Sequence, residues 1–138
     1  MRLLADESIA GLGIKSIVVG TARNVDPKAP LPDAFLKKQR EMEDWALGCD
    51  MSEVLDHPVV QGYRDLLQSV GRSAKRNPPT VPALIRNIQH RGSIPHINSI
   101  IDIYNVESLR SLLAIGGHDL DKVHERIEFT VSKEEGVF

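Results

Sequence analysis

The 138-residue chain carries 17 Lys and Arg against 19 Asp and Glu, a formal net charge of -2, with 41% of its residues apolar. That balance belongs to an ordinary globular domain; it excludes a disordered polar chain and a uniformly basic nucleic-acid binder. Cys49 is the only cysteine, which excludes an intramolecular disulfide and a cysteine-based metal cluster.

The opening MRLLADESIAGLG places Asp6 and Glu7 where a secretory leader needs its apolar stretch, so the chain reads as cytoplasmic. No apolar run approaches the ~20 residues of a membrane span, so no membrane partner is expected. Residues 2–5 form a short candidate strand. Residues 13–21 (GIKSIVVGT) form a stronger one, whose contiguous Ile17, Val18 and Val19 suggest a strand covered on both faces. The three prolines of NVDPKAPLPD mark a loop.

Asp33 then reads as the N-cap of a helix closed by Gly48, with Phe35, Gln39, Met42 and Ala46 on one face and Trp45 beside them. A second helix is predicted over 58–70. Pro58 suits its first turn, where the missing N–H would be unpaired anyway, and Gly71 ends it. RSAKRNPP is a basic loop. A third helix runs from a Thr80 cap to Arg91, with Gly92 closing it, and a fourth begins after Asn98 or Ser99 and reaches about Leu113. Apolar residues surround this last helix on nearly every side, which predicts burial. A strand at 127–131 alternates Ile127, Phe129 and Val131 with Glu128 and Thr130. The expectation is one α+β domain over 1–138: a small mixed sheet with about four helices packed against it.

Charge is unevenly spread. Between Leu66 and Ile101 there is no Asp or Glu, while Arg72, Lys75, Arg76, Arg86 and Arg91 all fall inside. The rest of the chain holds twelve Lys and Arg against nineteen acids. Such a segment can face phosphates, although a solvated surface has the same composition.

The stretch from Asn77 to Val131 is more specific. Its ordered series Pro95, Ile97, Asn98, Ile100, Ile101, Asp102, Asn105, then Gly116, Gly117, Asp119, Lys122 and Val123 before a strand, resembles the tRNA-binding and editing domain of the phenylalanyl-tRNA synthetase beta chain. The tandem glycines and the Tyr104–Asn105 pair look more like the free-standing proteins of that family than the synthetase chain itself. The resemblance is strong over about 55 residues and extends more weakly back to His57. It implies tRNA or aminoacyl-tRNA as partner, with a free amino acid as another ligand to consider and a homo-oligomer left open. It implies no cofactor and no metal.

By that resemblance Asn105 aligns with an asparagine lining the family's editing pocket, and Tyr104, Gly116 and Gly117 fall around it; a buried asparagine bonding the backbone is the plainer reading. Asp102, on the same helical face as Asn105, reads as structural, paired with Arg86 or a backbone N–H. Arg72, Lys75, Arg76 and Arg91 become phosphate contacts. Two departures stand out. Gly116 occupies the place of a family histidine, with His118 two residues on as the candidate to substitute for it; no catalytic residue is assigned. The chain also stops at KEEGVF, before further strands found in relatives. Two readings follow: a hydrolase clearing misacylated tRNA in trans, and a module that binds tRNA or an amino acid without turnover.

Rival motifs are weaker. His118, Asp119, Asp121 and His124 carry metal-compatible groups, but H-D-x-D-x-x-H is no established ligand spacing. Cys49 has no motif-linked base. The glycines of GLGIKSIVVG precede a strand, the wrong order for a phosphate cradle. RSAKRNPP is too long and proline-rich for a helix-turn-helix.

Overall fold

A computed structural model describes residues 2–131. In chain order the elements are β1 (Arg2–Ala5), α1 (Glu7–Gly11), α2 (Asp33–Gly48), α3 (Met51–Asp56), α4 (Pro58–Ser69), α5 (Thr80–Arg91), α6 (Ser99–Ser111), a 3-10 turn (Leu120–Lys122) and β2 (Arg126–Phe129). The class is α+β, as the patterning implies. KEEGVF lies outside the described residues. No helix among the described residues is long and apolar enough to cross a membrane.

The described residues form two compact units, one built from 2–22 with 117–131, the other from Arg23–Gly116. In the first, β1 and β2 pair in parallel, Arg2 opposite Arg126 and Ala5 opposite Phe129. Ile127 and Phe129 are half-buried and Glu128 is exposed, the expected alternation. Asp6 caps α1 by accepting from the Ser8 N–H. Residues 13–21, expected as the better strand, form none, and Val18 is 93% exposed. Contiguous β-branched residues favour a strand only where a neighbouring edge accepts their backbone groups. No such pairing forms with them among the described residues.

The second unit is helical. Its core joins Ala46 of α2, Val54 of α3, Val60 of α4, Ile85 and Ile88 of α5, and Val106 of α6. Full burial of Ile85 and Ile88 contributes roughly 1.5–3 kcal/mol each. Local signals account for several of the helix ends. The Val59 N–H is accepted by the His57 side chain, with Pro58 in the first turn. Gly92 closes α5 at φ 87, donating to the Ile88 carbonyl. Gly71 follows α4 at φ 71, and its N–H donates to Gln68 O.

Several details depart from the sequence reading. Asp33 and Thr80 lie inside their helices, while Pro32 and Pro79 take the cap positions without side-chain bonds. Helix α3 was not anticipated; six residues are too few to show a period. Helix α6 is not buried all round: Asp102, Val106 and Leu109 face inward, while Ile100 is 37% and Ile103 42% exposed. Trp45, expected beside the core stripe, is 37% exposed.

Candidate functional site

Helix α6 organises the site. Asn98 caps it, its side-chain oxygen accepting from the N–H groups of Ile100 (3.1 Å) and Ile101 (3.0 Å). The carboxylate of Asp102 is buried, with 3% side-chain exposure. Its Oδ2 lies 2.6 Å from His96 Nδ1, and its Oδ1 accepts from the Ile97 N–H at 3.3 Å. Burying a carboxylate is costly unless it is paired and hydrogen-bonded, and these two partners meet that need. The backbone partner matches one alternative of the sequence reading; the side-chain partner is His96 instead of Arg86.

An open cleft of about 770 Å³ lies beside this pair, lined on one side by residues 27–31 with Leu36 and Gln39, and on the other by His96, Ile97, Asn98, Ser99 and Asp102. Its walls are tied together. The Ser99 N–H donates to Pro27 O at 3.1 Å, and the Ser99 hydroxyl donates to Ala29 O at 2.5 Å. Behind them Glu43 accepts from both Ile94 N–H and Gln39 Nε2. The loop that the three prolines marked is thereby fastened to the start of α6. The sequence reading offers His96 only as a possible added charge and gives it no partner. The signal was Pro95, His96 and Ile97 directly before the Asn98 cap, which fold the chain back on the first turn of α6.

Asn105 is half-buried one turn beyond Asp102 on the same side of α6, and its amide makes no hydrogen bond among the described residues. Tyr104 is half-buried next to it. Neither lines the cleft. After α6 the chain returns over its own helix: Ala114 N–H donates to the Tyr63 hydroxyl and Ile115 N–H to the Ser108 hydroxyl. That return ties the residue before Gly116 to Ser108, which lies one helical turn beyond Asn105. Gly116 and Gly117 take no positive φ. A Cβ at Gly116 would meet nothing within 4 Å, so the position has room for a side chain. Gly117 and His118 belong to the other unit, where both are exposed.

Arg72, Lys75, Arg76 and Arg91 are all exposed, and none is in an ion pair among the described residues. The first three sit in the turns between α4 and α5, and Arg91 ends α5, about 17 Å of helical rise away. Arg86 is exposed between them. The cations thus form a strip in sequence, running from the turns before α5 to its last residue, and Arg86 and Arg91, five residues apart, point about 140° apart around the helix.

Other candidates resolve locally. Asp119 caps the 3-10 turn by accepting from Asp121 N–H at 3.0 Å. No three metal-compatible side chains converge among the described residues. Burial pushes the Cys49 thiol up, and it donates to Ala46 O while Gln89 secures the neighbouring carbonyls, so the thiolate a nucleophile needs is disfavoured.

The model of one family, described as the B3/4 domain, matches residues 62–138. No curated protein and no solved structure matches the chain. The match takes in the cation strip, His96, Asp102 and Asn105, whereas the wall of the cleft at 27–39 lies outside it. With more than half its residues covered, the chain belongs to the B3/4 domain family, whose domain is found in the phenylalanyl-tRNA synthetase beta chain.

Proposed function

We propose that the chain binds tRNA along α5 and hydrolyses misacylated aminoacyl-tRNA in trans. The observation that carries the reading is the cation strip. Five cations stand in a segment free of acids, all exposed and none neutralised by an ion pair among the described residues. Ordinary surfaces intersperse both signs; an exposed run of cations free of acids suits contact with a phosphate backbone.

The chemistry follows from a limit of synthetases. A pocket lined with apolar groups rejects an analogue that merely adds a hydroxyl only weakly, and a second site that hydrolyses the wrong ester supplies the missing discrimination. Such a site needs polar groups to hold the aminoacyl amine and an ordered water at the ester carbonyl; no covalent nucleophile is required. The Asn105 amide, able to donate and accept and unbonded among the described residues, suits the first role.

The test is release of amino acid from tyrosine-charged tRNA(Phe) and a panel of other misacylated tRNAs, with Asn105→Ala beside the parent chain. Release that falls with Asn105→Ala supports hydrolysis. Tight, salt-sensitive tRNA binding with no release from any member of the panel supports the second reading, a module that binds without turnover. Gly116 in place of the family histidine is the feature favouring that outcome.

A further inference from the structure

We propose that His96 is the catalytic base of this chain, aimed by Asp102 and acting in the cleft between residues 27–39 and 96–102; the proposal rests on the hydrolytic reading above. The argument starts from the hydrogen bonds. A carboxylate accepts and does not donate, so the 2.6 Å contact with Asp102 Oδ2 places the imidazole proton on Nδ1. Oδ1 is already engaged by the Ile97 N–H, so the carboxylate cannot swing away without losing a bond at a buried position. In the neutral imidazole Nε2 then keeps its lone pair. The imidazole is 76% exposed and lines the cleft, so that lone pair is open to water and to a ligand.

This is the arrangement a general base needs: a proton acceptor open to solvent, its orientation fixed by a third group. A purely structural partner for a buried carboxylate needs no such exposure, and a backbone N–H or an arginine would serve it as well. The cleft beside it suits an aminoacyl ester. Pro27, Pro30, Leu31, Leu36 and Ile97 offer apolar surface for the side chain, and Lys28 stands at the edge for a phosphate of the terminal nucleotides. Asn105 follows on the same side of α6, roughly 5–6 Å further along, within span of an elongated substrate.

The step balances with water alone. Nε2 takes a proton from the water as its oxygen bonds to the ester carbonyl carbon. The tetrahedral species expels the ribose oxygen, which receives that proton from the imidazolium. Free amino acid and tRNA with a free terminal hydroxyl leave, and His96 is neutral again. Asp102 is a positioning residue: it touches no reacting atom and holds the productive tautomer.

The experiment is single-turnover hydrolysis of misacylated tRNA by the full chain and by His96→Asn, His96→Ala and Asp102→Asn, with tRNA affinity measured on each. His96→Asn is the informative variant, because its amide nitrogen sits where Nδ1 was and still donates to Asp102 while Nε2 is gone. We expect release to fall by about 10²–10⁴-fold in His96→Asn and His96→Ala with tRNA affinity unchanged, and free imidazole to restore part of the His96→Ala loss. In Asp102→Asn, nitrogen NMR of the imidazole should show the proton moved to Nε2, with release falling in parallel; should that variant not fold, His96→Asn decides the matter. Release by His96→Asn at the parent rate overturns the proposal and leaves trans-hydrolysis standing. A parent chain that releases nothing from any tRNA in the panel overturns both.

Discussion

If the strip along α5 holds tRNA, affinity must fall with salt by an amount its charges fix. Arg72, Lys75, Arg76 and Arg91 are exposed and without ion pairs among the described residues, so each is free to displace one condensed counterion. Four contacts predict a slope of log K against log salt of roughly -2.8 to -3.6. Raising potassium chloride from about 50 to about 200 mM then weakens binding by roughly 50- to 150-fold. Arg72→Ala with Arg76→Ala removes two contacts, so the slope halves and the same salt step costs only about 7- to 12-fold. Both positions are exposed and lie outside the helices, so folding stability should change by less than about 0.5 kcal/mol. The assay is fluorescence anisotropy of labelled tRNA across a salt series, with urea melts confirming the fold. A parent slope shallower than about -1 would refute the strip as the phosphate contact. So would a double variant whose slope matches the parent's, because the counterions would then be released elsewhere.

Three further outcomes test the fold that carries the site. Gly92→Ala should cost about 1–2 kcal/mol in urea denaturation, purely from φ 87, because a Cβ there meets nothing within 4 Å; a neutral change would argue against the left-handed cap. Ile88→Ala, at a fully buried position, should cost about 2–5 kcal/mol in the same measurement, and a loss under about 1 kcal/mol would mean the core is looser than described. Glu107 bridges helices by accepting from Lys38 Nζ at 2.9 Å and Arg110 Nε at 2.6 Å, and these bonds, Lys38 first, hold its carboxyl below the usual range. A depressed folded value means its contribution is present above roughly pH 5 and lost as pH falls through that value. The stability gap between the parent and Glu107→Gln should therefore close with acidification, and a gap unchanged from about pH 6 to pH 3 would refute the assignment.

What the sequence disclosed and what it concealed divide along the range of the interactions. Local chemistry marks the start of α4, the end of α5 and the start of α6: Pro58 in a first turn, Gly92 in a left-handed cap, the Asn98 side chain on two N–H groups. Each signal involves residues no more than a few positions apart, so it can be read off the chain. The parallel pairing of Arg2–Ala5 with Arg126–Phe129 joins the two ends of the described chain, and nothing local specifies it. Residues 13–21 show the converse error. Their β-branched run is a real preference, but a strand is a property of two backbones, and here no second one pairs with them among the described residues.

The candidate site divides the same way. The acid-free window was legible because charge needs no partner to be counted, and the structure adds that its cations stay unpaired among the described residues. The His96–Asp102 pair was not legible, because six residues is neither a helical nor a strand spacing, and only the turn ahead of α6 brings the two within 2.6 Å. Yet a clue was present at Asn98. A residue that caps a helix fixes the direction from which the chain enters it, so the side chains just before the cap are aimed at those of the first turn. An ionisable residue two positions before a cap and another four positions after it are thus candidates for contact. In this chain those positions are His96 and Asp102, and Asn98, which sets the geometry between them, also lines the cleft they face. Cap, dyad and cleft are one local construction on α6, which is why a substitution at Asn98 should disturb chemistry as well as helix stability.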